Sequence, residues 1–222
     1  MKILAVETSG KTFSAALNQD GKTSAFFTYD CGHIHSEMII SSIERILKDT
    51  GNSYESIDKF AVCSGPGSFT GIRVGMTAVK TLAQALNKPI VAVDSLSALE
   101  KSFVKIKGLK LIAAIDALRN EIYVKSKKGV IIKSVGDFIE ENKKYKNKIV
   151  VIGSAALVYA DKLAKGLGKT SVMLPETFNF PKAYVLAYMA QYEQGAKYCE
   201  IEPLYVRRSW AEESKEKNRR GS

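Results

Sequence analysis

The chain has 222 residues, of which 45% are apolar and 25% charged, and its formal net charge is +10. This composition excludes a largely disordered chain. No apolar run approaches the roughly 20 residues that span a bilayer, and the N-terminal run is too short for a signal peptide, so we expect a cytoplasmic protein without membrane contact. The three cysteines, Cys31, Cys63 and Cys199, are too scattered for a disulfide framework or a zinc site.

Residues 1–104 predict a first lobe with the element order βββαβαβα, from apolar periodicity and turn signals such as Asp20-Gly21. Strands that alternate with helices indicate a sheet covered by helices, and the opening meander makes that sheet mixed. The predicted elements are strands Ile3–Thr8, Thr12–Asn18 and Lys22–Tyr29, helix Ile34–Lys48, strand Asp58–Cys63, helix Phe69–Leu86, strand Ile90–Val93, and a helix capped by Asp94 or Ser95.

Residues 105–208 repeat the pattern in shorter form and predict a second, smaller α/β lobe. Two such lobes in succession resemble the actin-like architecture, and residues 209–222 read as a charged, disordered tail. The predicted elements are strands Leu109–Ile115, Glu121–Ser126, Val130–Lys133 and Ile149–Ile152, and helices Asp137–Asn142, Ala155–Leu167 and Lys182–Glu193.

The positive charge is concentrated in one block of the second lobe. Residues 101–148 hold 13 basic and 5 acidic groups, whereas residues 1–100 hold 9 and 10. A basic block can attract a polyanion such as RNA, which would make the chain an RNA-binding module. Because lysine dominates the block and few aromatic residues accompany it, the sequence favours a solvated surface instead.

A glycine-rich segment, Ser64–Gly75, lies between a predicted strand and a predicted helix. Its spacing is neither the dinucleotide fingerprint nor a Walker loop. It has two interpretations: a tight strand-to-helix crossover in which Gly71 and Gly75 allow close packing, which we favour, or a phosphate loop at a helix N-terminus. The residues of the phosphate loop would be Gly65, Gly67, Ser68, Gly71 and Arg73.

The same segment carries a family resemblance. Gly65–Gly75 (GPGSFTGIRVG), followed by a helix and Pro89–Leu96 (PIVAVDSL), is similar to the signature of the TsaB family. Weaker supporting matches over residues 1–208 are Ile3–Ser9 (ILAVETS), Asp116–Arg119 (DALR) with Glu121–Tyr123 (EIY), and Pro203–Arg207 (PLYVR).

The resemblance implies an actin-like fold and a role in making N6-threonylcarbamoyladenosine on tRNA. It further implies a non-catalytic subunit that pairs with its catalytic paralogue TsaD and cooperates with the ATPase TsaE. We expect a homodimer when TsaD is absent, indirect contact with tRNA, and no tightly bound cofactor, since the partners use the ATP and magnesium.

The sequence contains few candidates for a metal site. The catalytic paralogue holds a metal through a helical His-x-x-x-His, whereas His33 and His35 are two residues apart and would point in nearly opposite directions on a helix. A strand or loop would allow the two to meet, but no third ligand is evident nearby. Asp30 and Glu37 flank them and are more simply explained as helix caps, so we expect no metal.

An actin-like ATPase or small-molecule kinase acting alone is the alternative function. Glu7 resembles the acidic residue that holds Mg²⁺ through water in such enzymes, although it also suits the polar end of a central strand. Gly153-Ser154-Ala155 is the nearest equivalent of their adenosine motif, and it is short.

The sequence offers no catalytic triad. Ser64, Ser68 and Ser95 lie near turns, but none sits in a nucleophile elbow, so no triad is expected.

Two predicted helices each present a second face with little charge. At 100° per residue their core stripes contain Ile39, Ile40, Ile43, Ile46 and Leu47 in one helix, and Ile72, Gly75, Met76, Val79, Leu82, Ala83 and Leu86 in the other. Small uncharged residues outside such a stripe allow a second helix to approach, although burial within the chain would also explain them. The predicted partner interface consists of Ile34, Met38, Ser41, Ser42, Arg45, Thr70, Val74, Thr77, Ala78, Thr81 and Ala85.

Overall fold

The computed structural model describes residues 1–30, 35–104, 106–146, 148–168, 171–172 and 174–207. Its strands are β1 (Lys2–Glu7), β2 (Thr12–Gln19), β3 (Lys22–Asp30), β4 (Lys59–Gly65), β5 (Ile90–Asp94), β6 (Leu109–Asp116), β7 (Glu121–Ser126), β8 (Gly129–Ser134), β9 (Lys148–Ile152) and β10 (Ser171–Val172). Its α-helices are α1 (His35–Asp49), α2 (Phe69–Leu86), α3 (Ser95–Lys101), α4 (Val135–Asn142), α5 (Ser154–Val158), α6 (Ala160–Leu167) and α7 (Ala183–Ala190).

The two sheets have the same topology. The first has the order β3-β2-β1-β4-β5, and the second has β8-β7-β6-β9-β10. In each, the first three strands form an antiparallel meander, and the fourth and fifth run parallel to the first. This repeated mixed sheet flanked by helices is the actin-like fold, and the predicted fold class is confirmed.

Two helices, α3 and α7, each pack on the sheet of the other lobe. Leu96 and Leu99 of α3 pack with Ile115 and Ile152 of the second sheet. In the opposite direction, α7 follows the second sheet in sequence but packs on β1, β2 and β4 of the first. The two sheets are formed by consecutive parts of the chain, whereas α3 and α7 each pack on the sheet formed by the other part.

Helices α1 and α2 cover one face of the first sheet. The predicted core stripe of α1 differs from the observed one at two residues. Ile40, predicted to lie in the core, is 41% exposed, whereas Ser42, predicted to face a partner, is only 5% exposed. Ser42 follows Ile39 by three positions and precedes Ile46 by four, so helical geometry places it on the buried stripe. Ile40 lies one position, or 100°, beyond Ile39.

The predicted helix Ala155–Leu167 is two helices, because Tyr159 leaves helical geometry at φ −111° and ψ 24°. In contrast, α2 has its predicted bounds, with Ser68 as the N-cap and Asn87 in the left-handed conformation as the C-cap. No helix among the described residues is long and apolar enough to cross a membrane. The tail predicted over residues 209–222 lies outside the described residues.

Candidate functional site

The carboxyl ends of four parallel strands meet between the lobes. β1 and β4 end there in the first sheet, and β6 and β9 end there in the second. In open α/β sheets this is where a crevice for ligands forms. A cleft of about 560 Å³ lies at this place, bordered by the loops after all four strands.

Three glycines of the segment after β4 face the end of β1. A Cβ on Gly67 would lie 2.2 Å from the carbonyl oxygen of Ser9, and one on Gly71 would lie 2.1 Å from the carbonyl oxygen of Thr8. On Gly75 it would lie 2.1 Å from Thr8 Oγ1. Because no side chain fits these spaces, the glycines allow α2 to pack directly against β1.

Hydrogen bonds join the same two segments. The Ser68 N–H donates to the carbonyl oxygen of Ser9 at 2.7 Å, and Thr8 Oγ1 donates to the carbonyl oxygen of Gly71 at 2.7 Å. The Ser68 hydroxyl caps α2 by accepting from the Gly71 N–H. Gly65, also named for the phosphate loop, would direct a Cβ to within 2.7 Å of Ile72 Cδ1. This geometry explains the glycines by packing, and phosphate binding stays a prediction.

Glu7 is buried at the end of β1 beneath the cleft. It is fully shielded from solvent, and its Oε1 accepts from both the N–H and the hydroxyl of Ser9. Its Oε2 has no hydrogen-bond partner among the described residues. Burial raises the pKa of Glu7 to about 7, although Ser9, Lys182 and Cys63 oppose that rise. Burial likewise raises the pKa of the Cys63 thiol.

The second lobe contributes a polar corner at the end of β6. The Tyr159 hydroxyl donates to Asp116 Oδ1 at 2.8 Å, and the Asp116 N–H donates to the Ser154 hydroxyl at 3.0 Å. Gly153, in the predicted adenosine-motif equivalent, has φ +107°, and a Cβ there would meet the Ala114 carbonyl oxygen at 2.2 Å. Packing against β6 thus accounts for this glycine as well.

The C-terminal segment Leu204–Arg207 spans the cleft between the lobes. The Leu204 N–H donates to the Ser64 carbonyl oxygen at 2.8 Å, and Arg207 forms an ion pair with Glu121 of β7. These contacts attach one segment to β4 in the first lobe and to β7 in the second. We call residues 204–207 the clasp.

Arg73 and Phe69 hold the middle of the clasp. Arg73 Nε donates to the Tyr205 hydroxyl at 2.8 Å, and its guanidinium lies 3.9 Å from the centre of the Phe69 ring. The Phe69 and Tyr205 rings are 5.1 Å apart between centroids, within the range of favourable aromatic contact. The guanidinium named for the predicted phosphate loop is therefore engaged with the clasp.

The walls of the cleft are mainly apolar. Leu118 and Val158 are 68% and 58% exposed there, beside the partly exposed ring of Phe69. Lys11, Asp116 and Arg207 add charged groups at its border. Tyr205 and Arg207 were not among the predicted site residues. The motif Pro203–Arg207 was the signal that pointed to them.

The predicted partner interface is only partly open to solvent. Met38, Val74 and Ala78 are half-buried and pack against the core beneath α1 and α2, and Ser42 is buried. Ile34 lies outside the described residues. The remaining predicted residues are exposed: Ser41, Arg45, Thr70, Thr77, Thr81 and Ala85.

Apart from Arg73, α2 exposes no charged residue to solvent. Its two basic residues are directed to the C-terminal part of the chain, because Arg73 contacts Tyr205 and Lys80 Nζ donates to the Ile201 carbonyl oxygen at 2.9 Å. On α1, Arg45 pairs with Asp49 of the same helix at 2.5 Å. We call Thr70, Thr77, Thr81 and Ala85 the α2 stripe.

Over the residues that the structure describes, no three His, Cys, Asp or Glu side chains are grouped as metal ligands. His33 lies outside those residues, and His35 is the first residue of α1. Of the serines considered as nucleophiles, Ser68 caps α2 and Ser95 Oγ donates to the Pro66 carbonyl oxygen at 2.5 Å.

Comparison with known proteins shows which family this two-lobed, actin-like chain belongs to. The family model for tRNA N6-adenosine threonylcarbamoyltransferase, TsaD, matches residues 30–196. The tRNA threonylcarbamoyladenosine biosynthesis protein TsaB of Bacillus subtilis is 28% identical over 96% of both chains. TsaB of Escherichia coli is 35% identical over 55% of this chain and 53% of its own. The structure of YeaZ from Pseudomonas aeruginosa covers 92% of this chain and 99% of its own, with 22% identity and a TM-score of 0.71.

The chain belongs to the TsaD family, since the model matches well over half of it. Within that family its near full-length curated relatives carry the name TsaB, so the predicted resemblance is confirmed.

Proposed function

We propose that this chain is a non-catalytic subunit in the biosynthesis of N6-threonylcarbamoyladenosine on tRNA. It acts by pairing with a TsaD-type transferase and by enabling recruitment of the ATPase TsaE, and it forms a homodimer when TsaD is absent. It binds no cofactor tightly, and its partners use ATP and magnesium. The match to TsaB proteins along almost the whole chain supports the pathway.

The observation that carries the proposal is the uncharged α2 stripe. A helix that faces water normally exposes several charged residues, whereas both basic residues of α2 are engaged by the C-terminal part of the chain, Arg73 by Tyr205 and Lys80 by Ile201. Threonine and alanine allow a second helix to approach closely. The stripe therefore suits a helical partner in the same family of folds.

The environment of Glu7 supports the non-catalytic part of the proposal. A carboxylate that holds Mg²⁺ through water must reach the cleft in its charged form. Glu7 is instead buried and accepts a hydrogen bond from the Ser9 N–H, and burial raises its pKa to about 7. We expect no ATP hydrolysis by the purified chain. Steady-state turnover that disappears in Glu7→Ala would contradict this and favour the alternative, an actin-like ATPase or kinase.

The test of function is reconstitution. Purified TsaD-type and TsaE-type proteins, the threonylcarbamoyl donor and tRNA are combined with and without this chain, and the modified nucleoside is measured. Modification that depends on the chain supports the proposal. Equal modification without the chain contradicts it.

The test of the interface uses matched substitutions. Ala85→Arg places a charge on the α2 stripe, and Ala164→Arg makes the same change on exposed α6. Light scattering and pull-down with TsaD should show lost pairing for Ala85→Arg and retained pairing for Ala164→Arg, with unchanged circular dichroism in both. Ala85→Arg is preferable to Ala78→Arg, because Ala78 is half-buried against the core. Pairing that survives both Ala85→Arg and Thr77→Arg would place the interface elsewhere.

A further inference from the structure

Lysines from separate segments of the second lobe lie at the end of its sheet that is farthest from the cleft. β6 and β9 run parallel, with Leu109 paired to Lys148, so their amino ends are adjacent. Lys107 lies two residues before the start of β6, and Lys148 begins β9. The cleft borders the carboxyl ends of the same strands, so these lysines lie at the opposite end.

A third segment is attached to this end by Lys110. Its Nζ donates to Asn142 Oδ1 at 2.9 Å and lies 4.8 Å from the centre of the Tyr145 ring. These contacts hold the connection between α4 and β9 beside the start of β6. Lys144 and Lys146 of that connection are exposed. We call Lys107, Lys110, Lys144, Lys146 and Lys148 the basic pole.

Among the described residues, the lysines of the basic pole are not paired with carboxylates. Two of the three carboxylates of the adjacent helix α4, Glu140 and Glu141, pair with Lys143 and Lys133, respectively. Within the described part of the chain, no carboxylate forms an ion pair with a lysine of the basic pole. Like charges gathered without counter-charges repel one another, and a bound polyanion would relieve that repulsion.

An aromatic ring lies among these lysines. Tyr145 is 39% exposed, between Lys144 and Lys146 in sequence and against Lys110 in space. A flat ring beside several cations is the combination by which proteins bind RNA, with the cations on phosphates and the ring stacked on a base. The sequence favoured a solvated surface because aromatics are few, but the fold places one at the centre of the charge.

We propose that the basic pole binds RNA directly, with its lysines on the phosphate backbone and Tyr145 stacked on an unpaired base. The choice of tRNA as the ligand rests on the proposed function. This contact replaces the expectation that the chain meets tRNA only through its partners.

The experiment measures fluorescence anisotropy of a labelled tRNA transcript titrated with the full chain. Lys144→Gln/Lys146→Gln is compared with Lys22→Gln/Lys48→Gln, which removes the same charge from exposed sites of the first lobe. We expect the first double variant to weaken binding about tenfold and to reduce the slope of log K against log salt by about 1 to 2. The control should stay near wild type. Tyr145→Ala should weaken binding without changing the salt slope.

Three results would overturn the proposal. One is equal affinity of the basic-pole and control variants. Another is polyglutamate competing as well as polyuridylate while Tyr145→Ala has no effect, since this would indicate a general anion-binding surface. The third is a wild-type KM for tRNA with Lys144→Gln/Lys146→Gln, measured in a reconstituted reaction that requires this chain. That result would refute RNA binding by the basic pole but not the proposed function.

The opposite result is also distinguishable. If the basic pole binds tRNA but modification proceeds without the chain, the proposed function is refuted.

Discussion

At the scale of single residues, close packing at the site depends on three glycines, because a glycine has no Cβ. Gly67, Gly71 and Gly75 lie at intervals of four along the loop and the first two turns of α2, and all face the end of β1. Their interval of about one helical turn is visible in the sequence, so close packing was predictable. Which strand they would meet was not, because Thr8 and Gly71 are 63 positions apart.

Gly71→Val should destabilise the fold, because its Cβ would overlap the Thr8 carbonyl oxygen, a backbone atom that cannot rotate away. We expect a loss of about 1–3 kcal/mol in the free energy of unfolding, measured by urea denaturation. Gly136→Ala in α4 is the control, since its Cβ would meet only Ser134 Oγ at 3.7 Å. It should leave stability equal or slightly higher. An unchanged melting temperature for Gly71→Val would contradict the packing explanation.

Glu7 should make stability depend on pH. Its pKa is about 7 in the folded chain against an ordinary value of 4.5, so the folded state binds the proton more tightly. The stabilisation from the protonated carboxyl is complete below pH 4.5 and is lost as the pH rises through 7, by about 3 kcal/mol in total.

Urea denaturation at pH 5 and pH 8 tests this dependence. Glu7→Gln cannot ionise, so its free energy of unfolding should fall less between the two values than that of wild type. Glu44→Gln changes an exposed carboxyl of α1 and should keep the wild-type dependence. Identical pH dependence for Glu7→Gln and wild type would show that Glu7 is not the titrating group.

At the scale of elements, local signals placed most helices and strands. The bounds of α2 were predictable because Ser68 is a strong N-cap and a left-handed residue, Asn87, ends the helix. The predicted side of α1 was wrong for Ser42, because this residue keeps helical spacing with Ile39 and Ile46 and is buried with them. The break between α5 and α6 was also missed, because Tyr159 is anchored to a strand end that lies 43 positions earlier.

Tyr159→Phe should weaken the joint between α5, α6 and β6. It removes the hydroxyl that donates to Asp116, and burial together with this bond raises the pKa of Tyr159 to about 12. We expect a loss of about 1–2 kcal/mol in stability and faster amide exchange in both helices. Tyr198→Phe alters a partly exposed ring near the C-terminus and is the control. Equal exchange in both variants would show that the bond does not hold the joint.

At the scale of the whole molecule, the lobes are joined by exchanged helices and by the clasp. Leu96 and Leu99 of α3 bury apolar surface against the second sheet, while α7 buries its surface on the first. The clasp then connects β4 to β7 across the cleft. None of these contacts is local, since Arg73 and Tyr205 are 132 positions apart and Glu121 and Arg207 are 86 apart. This is why two lobes were predictable and their coupling was not.

Removal of the clasp should loosen the two lobes without unfolding either. A chain that ends at Pro203 loses the bond from Leu204 to Ser64, the Tyr205 contacts with Arg73 and Phe69, and the ion pair from Arg207 to Glu121. The ion pair is partly exposed and contributes about 1 kcal/mol or less, so the aromatic and backbone contacts should account for most of the effect. A chain that ends at Arg207 retains every described clasp contact and is the matched control. We expect the shorter chain alone to melt several degrees lower and to exchange amides faster at Glu121 and around the cleft, with the strands of both sheets still protected. If the two truncated chains melt together and exchange alike, the exchanged helices hold the lobes by themselves and the clasp contributes nothing to their coupling.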